Sequence, residues 1–145
     1  MYAPHTVTVF NAGREGAMPV ATILRGVLLD ISKGANVKAS GLENADSATL
    51  FVPFSVEAVN AETGERQRYV SPKAYEQSEN KSELWTLRTG GSGSAADCFF
   101  AKGEITLPEK YQAVNTKHDH VYRVSSVDIR DFGSEEMRHW EVGGR

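Results

Sequence analysis

Short runs of alternating apolar residues, rich in β-branched and aromatic side chains, constrain this chain more than any other feature. In the clearest run, from Ala48 to Val59, apolar side chains recur at every second residue between Leu50 and Val56. A period of two places side chains on one face of a strand, whereas the spacing of about 3.6 residues that is typical of helices is scarce. The chain is therefore predicted to be mostly β, with less than about a quarter helix. The predicted strands are Thr6–Phe10, Val20–Asp30, Ala48–Val59, Asp97–Ile105 and Val121–Ile129.

Three features within these runs predict local irregularities. Gly26 lies inside the second run, and a glycine within a strand often marks a bulge or a close backbone approach. Pro53 has no N–H, so its strand is expected at the edge of a sheet or bulged at that residue. The apolar residues of the last run change face across Ser125 and Ser126, which predicts a β-bulge there.

Helical signals are few. Ser71–Glu76 begins with a capping serine and carries Pro72 at the first helical position, so one or two turns of helix are expected. Leu107–Tyr111 is expected to form another single turn.

In the strands, Phe99 and Phe100 are expected on opposite faces. Many short strands with glycine-rich turns and little helix indicate an all-β or mostly β fold, a small β-barrel or sandwich with long loops.

Three segments are predicted to be loops. Ile31–Ser47 is long, Asn60–Arg68 is polar and resembles an exposed hairpin tip, and Gly90–Ser94 has the composition of a flexible linker. Loops of this length in a small domain are usually functional or disordered.

Length and charge narrow the class of protein. A chain of 145 residues is expected to form one domain, residues 1–145, and its net charge of −3 argues against a dedicated nucleic-acid binder. No apolar run approaches the ~20 residues of a membrane helix, and no signal peptide is apparent. Cys98 is the single cysteine and cannot form an intramolecular disulfide, so a cytosolic origin is expected.

Candidate catalytic and metal-binding residues are isolated. His118 and His120 could ligate a metal from one face of a strand, but no second His or Cys pair accompanies them, so solvated histidines are the favoured interpretation. Cys98 could act as a nucleophile with His139 as base, yet its position beside Phe99 favours a buried, inert thiol.

The remaining polar and aromatic candidates are no stronger. The carboxylate pairs Asp128/Asp131 and Glu135/Glu136 are expected to be solvated charges, and Gly90–Gly93 lacks the features of a phosphate loop. We expect no catalytic residue, no cofactor and no metal. Trp140 is either an interface anchor or a core residue that closes the barrel, and the sequence does not decide between them.

Segments along nearly the whole chain carry a resemblance to a known family. They are His5–Asn11, Ser32–Val37, Ala45–Phe54, Asp131–Ser134, Met137 and His139–Gly144. Together they resemble a small uncharacterised family encoded in the head-to-tail gene modules of tailed phages and prophages of Gram-positive bacteria. Proteins of this kind are similar in size and strand order to head-closure (stopper) connectors, which are small β-barrels with long loops. The family has no catalytic motif.

The resemblance implies a structural virion protein of the phage neck and not an enzyme. It would form a ring of sixfold or twelvefold symmetry between the portal-bound adaptor and the tail. Packaged DNA would pass through the ring without specific binding, and the ring would help to retain it. The protein would occur in the virion, and in the host cytoplasm during assembly, without a membrane partner.

Two alternatives stay open at this point. One is another neck or tail component, a tail terminator or tail-completion protein. The other is a small metal-binding or enzymatic barrel that uses His118, His120 and Cys98. For the connector, we expect Ile31–Ser47 to be an assembly loop that becomes ordered in the ring. The residues expected to interact with partners are Lys33, Asn36, Gly41 and Trp140.

Overall fold

A computed structural model describes residues 2–13, 17–32, 47–91 and 96–145 in full, and the backbone of residues 35–38 and 41–44. The helices in this part of the chain are α1 (Pro72–Gln77) and α2 (Tyr111–Lys117), with short 3-10 turns at Lys81–Glu83 and Glu135–Met137. The strands are β1 (His5–Asn11), β2 (Val20–Ser32), β3 (Ala35–Lys38), β4 (Gly41–Asn44), β5 (Ser47–Pro53), β6 (Glu57–Asn60), β7 (Arg68–Tyr69), β8 (Leu84–Trp85), β9 (Cys98–Lys102), β10 (Val121–Arg130) and β11 (His139–Gly144).

Six of these strands form a closed antiparallel barrel. They follow the order β1-β9-β10-β11-β5-β2, and β2 pairs back onto β1 to close the ring of strands. The prediction of a small, mostly β barrel with short helical turns is therefore confirmed. No helix among the described residues is long and apolar enough to cross a membrane.

Strand β2 holds the barrel closed because it carries partners along both edges. One edge pairs with β1, and the other pairs first with β6 at Thr22–Arg25 and then with β5 at Leu28–Ser32. Gly26 lies between these two halves with φ of +90°, and the β1 register shifts there, since His5 faces Val27 while Thr6 faces Arg25. The predicted irregularity at Gly26 is thus a bulge, at a φ that favours glycine.

The run Ala48–Val59 is divided, which corrects the prediction of one strand. The chain turns after Pro53, and the N–H of Val56 donates to the Pro53 carbonyl at 3.0 Å, so the run forms β5 and β6. β5 lies between β11 and β2, so the expected edge position is also wrong. Pro53 is tolerated because the ladder between β5 and β2 ends at Phe51, so β2 offers no bond for the N–H that Pro53 lacks.

The bulge in β10 is confirmed. Val124 faces Gly144 and Ser126 faces Gly143, which leaves Ser125 as the extra residue. After this bulge, Val127 and Val142 face each other, so the apolar residues of β10 return to the inner face.

Apolar side chains fill the barrel interior, and a second cluster covers part of the outside. Phe100 points inward, toward Tyr122, with ring centroids 5.7 Å apart. Phe99 points outward and stacks on Phe10 with centroids 4.6 Å apart, so the expected opposite faces are confirmed. Tyr111 on α2 meets Phe99 edge to face, and α2 covers this outer cluster.

Residues 68–89, which contain β7, α1 and β8 and are called the β7–β8 segment here, pack over the barrel with an aromatic cluster. Trp140, only 7% exposed, lies 4.3 Å from Tyr69, 4.5 Å from Phe54 and 5.6 Å from Trp85, measured between ring centroids. Within this segment, α1 begins as predicted. The Ser71 hydroxyl accepts from the Ala74 N–H at 3.3 Å, and Pro72 is its first residue.

Buried polar contacts fix this segment to the barrel. Arg88, whose side chain is 11% exposed, donates to the Ala12 carbonyl at 2.7 Å and to Asn11 Oδ1 at 3.3 Å. Its guanidinium also lies over the Tyr75 ring, 5.2 Å from the centroid. Asn11 Nδ2 in turn donates to the Thr86 carbonyl at 3.1 Å, so both chain segments are held by one network.

The other predicted turns and loops have mixed outcomes. The expected turn Leu107–Tyr111 is wrong, because the helix begins at Tyr111 and continues to Lys117, with Tyr111 and Val114 on the core side. Asn60–Arg68 is a hairpin tip as predicted. Asn60 Oδ1 accepts from the Glu62 N–H at 2.8 Å, and Val59 bridges to Arg66.

The prediction of a long loop at Ile31–Ser47 is corrected. Ile31 and Ser32 belong to β2, and strands β3 and β4 pair as a hairpin with Ala35 facing Asn44. These strands hold few β-branched residues, so backbone pairing forms where local propensity is weak. In the predicted linker Gly90–Ser94, residues 92–94 lie outside the described residues.

Replacing Gly144 with alanine should destabilise the barrel. An added Cβ would lie 2.8 Å from the Phe100 ring and 2.8 Å from Tyr122 Cβ, inside the packed interior. We expect Gly144→Ala to lower the free energy of unfolding by about 1–3 kcal/mol, measured by chemical denaturation. Ser55→Ala, in the exposed turn after β5, is the control and should change it by less than about 0.5 kcal/mol. Equal stability of both variants would contradict this packing.

Replacing Arg88 with lysine should loosen the β7–β8 segment. Lysine keeps the charge but loses the planar fork that reaches Ala12 and Asn11 and covers Tyr75. We expect Arg88→Lys to cost about 1–3 kcal/mol of unfolding free energy. Arg25→Lys is the matched control, since Arg25 is 42% exposed and pairs with Glu57 and Glu104 at the surface. It should cost less than about 1 kcal/mol, and a similar cost for both variants would show that Arg88 does not hold the β7–β8 segment.

Candidate interaction surface

The barrel is a packed core and not a binding chamber. The interior side chains Phe100, Leu50 and Val52 have no exposed surface. Four clefts formed by the described residues, with volumes of about 290, 310, 370 and 520 Å³, involve surface segments. The clefts that these described residues offer to a partner therefore lie on the outer surface.

Cys98 and His139 do not form a catalytic pair. Cys98 lies inside the barrel, and burial raises the pKa of its thiol to about 12. His139 neighbours the inward-facing Trp140 on β11, so it points to the opposite, outer face, where its Nδ1 lies 2.8 Å from the Met137 carbonyl oxygen. The expectation of a buried thiol is confirmed.

His118 and His120 do not lie on a strand, which corrects the geometry on which a shared metal site depended. His118 follows α2 and its N–H donates to the Val114 carbonyl at 3.0 Å, while His120 precedes β10. Nδ1 of His120 lies 3.3 Å from the Tyr122 hydroxyl. Within the part of the chain that the structure describes, no three or more His, Cys, Asp or Glu residues are grouped to hold a metal.

The four paired carboxylates surround the connection between β10 and β11. Asp128, Asp131, Glu135 and Glu136 are all exposed, as predicted for solvated charges. Asp131 forms an ion pair with Arg138 at 3.2 Å. This connection therefore has a charged rim.

The same connection exposes three large apolar side chains. We define residues 129–138 as the β10–β11 tip. Within it, Ile129 is 63% exposed, Phe132 69% and Met137 55%. The N–H of Met137 donates to the Ser134 carbonyl at 2.9 Å, which shapes the turn that presents them. Apolar side chains concentrated within one short exposed segment, with charges around them, are typical of a contact with another protein.

Among the described residues, the edge of β10 beyond the bulge has no second strand partner, and this free edge leads to the tip. β10 pairs with β9 only at Val121–Arg123, and beyond the bulge its ladder continues with β11 alone. The largest of the four clefts, about 520 Å³, lies against the unpaired part of β10. Its lining includes Tyr69 and Leu87 from the β7–β8 segment and Val127 and Ile129 from β10.

The interaction residues predicted from sequence lie elsewhere. Lys33 is outside the described residues, while Asn36 lies in β3 and Gly41 in β4, where the backbone alone is described. The structure places Trp140 in the core, and its role in an interface stays a prediction. Sequence reasoning missed Ile129, Phe132 and Met137. Phe132 next to Gly133, in a polar turn, was a usable signal.

Cys98 should be protected from thiol reagents in the native protein. Burial blocks access and keeps the thiol protonated, since its pKa of about 12 lies far above neutral pH. At about pH 8, we expect a small aromatic disulfide to react roughly 100-fold or more slowly with folded protein than with protein unfolded in guanidinium chloride. Similar rates in the two states would show that the thiol is accessible, against this structure.

The chain matches the model of one protein family across residues 2–145. That family is described as a family of unknown function, DUF6751. Comparisons with curated proteins and with solved structures give no match. The match extends over nearly the whole chain and includes the barrel, the β7–β8 segment and the β10–β11 tip. The protein therefore belongs to the DUF6751 family.

Proposed function

We propose that this protein is a structural component of the neck of a tailed phage, of the head-closure (stopper) type. It assembles into a ring between the portal-bound adaptor and the tail and helps to retain packaged DNA. The resemblance of segments such as His5–Asn11 and His139–Gly144 to proteins of head-to-tail gene modules supports this proposal. The family match does not bear on it, because the family has no described function.

The single observation that carries the proposal is the position of two hairpins at opposite ends of β5. Ser47, the first residue of β5, pairs with Ser32, and the β3–β4 hairpin is inserted between these two residues. Pro53, the last residue of β5, pairs with His139 at the base of the β10–β11 tip. Seven residues of strand separate the two attachment points by about 20 Å.

Such an arrangement suits a connector. A protein inserted between two larger assemblies must contact a different partner at each end, and a ring subunit needs two different surfaces to bind its neighbours head to tail. A barrel with a packed interior supplies a rigid body, and hairpins attached to its strands supply contacts. The apolar residues of the β10–β11 tip fit one contact, and β3–β4, with Asn36 and Gly41, fits the other.

The charge of the chain is compatible with a DNA conduit. A net charge of −3 gives no basic stripe for phosphates, so passing duplex would not be held. Lys33, which we expect to contact a neighbour or line the lumen, adds a single positive charge there.

The tip can be tested with polar substitutions in the phage. We expect Phe132→Asp combined with Met137→Asp to leave the melting temperature unchanged, since both side chains are exposed, while particles lose DNA or stay tailless. Leu107→Asp is the matched control, because Leu107 is 60% exposed and belongs to neither hairpin. A parallel variant replaces residues 35–44 with a short Gly/Ser linker.

The outcomes separate the proposals. If tip and hairpin variants both fold and both yield normal, tailed, DNA-filled particles, neither hairpin acts in assembly and the connector proposal fails. If DNA is retained but the tails end abnormally, the tail-terminator alternative is favoured. Stoichiometric metal in the purified protein, lost on chelation together with cooperative unfolding, would favour the metal-binding barrel instead.

A further inference from the structure

The unpaired edge of β10 presents a defined set of backbone groups. Arg123 and Arg145 exchange both backbone hydrogen bonds, at 2.9 and 3.0 Å, and the Arg138 carbonyl accepts from Phe54 on the β5 side. The backbone N–H and C=O groups of successive residues point to alternate sides of a strand, so those of His139 and Glu141 point toward β10. Their partners Arg130 and Asp128 therefore use their own N–H and C=O groups within the β10–β11 ladder. The N–H and C=O groups of Val127 and Ile129 point outward, to the free edge.

The charges along this edge are incompletely paired. Arg130 donates from Nε and Nη2 to the same oxygen of Glu141, at 3.1 and 3.0 Å. Asp128 lies directly opposite Glu141, so two carboxylates share one face of the ladder. Like charges opposite each other destabilise an antiparallel pair. Among the described residues, the Asp128 carboxylate has no ion-pair partner to offset this.

We propose that the free edge of β10 pairs with the same edge of a second copy of this chain, antiparallel about a twofold axis at Ile129. In this register the two Ile129 residues face each other and exchange backbone hydrogen bonds. Asp128 of each copy then lies opposite Arg130 of the other. That position is a non-hydrogen-bonded pair, in which side chains approach most closely. The Asp128 carboxylate of each copy thus gains a cationic partner.

Charge selects this register over its neighbours. An axis at Asp128 would place the two Asp128 carboxylates against each other, and an axis at Arg130 would oppose the two guanidinium groups. An axis at Val127 would bring the paired strand onto the bulge at Ser125, where the edge is no longer regular. A register that places an odd-numbered residue of one copy opposite an even-numbered residue of the other would put Ile129 on the same face as the charged side chains.

The cleft beside β10 accommodates the added strand. Ile129 of the second copy would share the face of Ile129 and Val127, next to Tyr69 and Leu87 in the 520 Å³ cleft. Ile129, now 63% exposed, would be covered by the pairing. This self-association does not rest on the neck function, and it leaves Phe132 and Met137 of the tip available for other contacts.

Charge reversal tests both the contact and its register. Sedimentation equilibrium of the full chain at up to ~1 mM should show a monomer–dimer equilibrium in the wild type. In Asp128→Arg, Arg faces Arg twice, and in Arg130→Asp, Asp faces Asp twice. Each variant alone should dimerise at least about 10-fold more weakly. Mixed in equal amounts, the two variants should form a heterodimer, because both cross-strand pairs are then of opposite charge.

Two further variants test the backbone pairing and control for a charge change elsewhere on the surface. Ile129→Pro removes one outward N–H without touching the β11 ladder, so it should abolish dimers while circular dichroism stays unchanged. Glu62→Arg, at the exposed Asn60–Arg68 hairpin, should leave dimerisation as in the wild type. If the wild type stays monomeric over the whole concentration range, the proposal is overturned, even if a strand of another protein is later found at this edge. A dimer insensitive to Asp128→Arg and Ile129→Pro overturns it as well.

Discussion

The pairing of β2 along both of its edges is the constraint on which the rest of this structure depends. By meeting β1 on one side and β5 and β6 on the other, β2 closes six strands into a barrel. The bulge at Gly26 allows one strand to serve both halves, because it bends β2 between its β6-paired and β5-paired segments. Closure removes most free strand edges, which explains why the unpaired part of β10 stands out as a place for another strand.

Closure also determines where contacts with partners can form. The interior is filled by side chains such as Phe100 and Leu50, and the β7–β8 segment packs over it through Trp85 and the Arg88 network. The β3–β4 hairpin and the β10–β11 tip lie outside this packed interior, and we propose that they make the contacts with partners. Their attachment at opposite ends of β5 gives the domain two separate surfaces, which is what a connector between two assemblies requires.

Much of the barrel was predictable because its strands have one buried face. The apolar runs predicted β1, β2, β9 and β10, and β5 as part of a longer strand. The change of face at Ser125 predicted the bulge, since this signal depends on the pleat of a strand. Ser71 and Pro72 identified α1 through capping chemistry. The closing pairs were not predictable, because the sequence does not record which distant strands meet. The β3–β4 hairpin and α2 were missed because their local propensity is weak and tertiary pairing or packing stabilises them.

The candidate surface was predictable only in part. The interaction roles of Asn36 and Gly41 stay predictions. Ile129 was not found, since alternation from Val127 places it on the inner face. It is exposed because the pairing of β10 with β9 has already ended at that point.

A cryo-electron microscopy map of the neck of the assembled phage would test the proposed neck function most directly. We expect a ring of six-stranded barrels between the portal-bound adaptor and the tail, with the β3–β4 and β10–β11 hairpins contacting different neighbours. A neck fully occupied by other proteins, with this barrel absent from the particle, would contradict it.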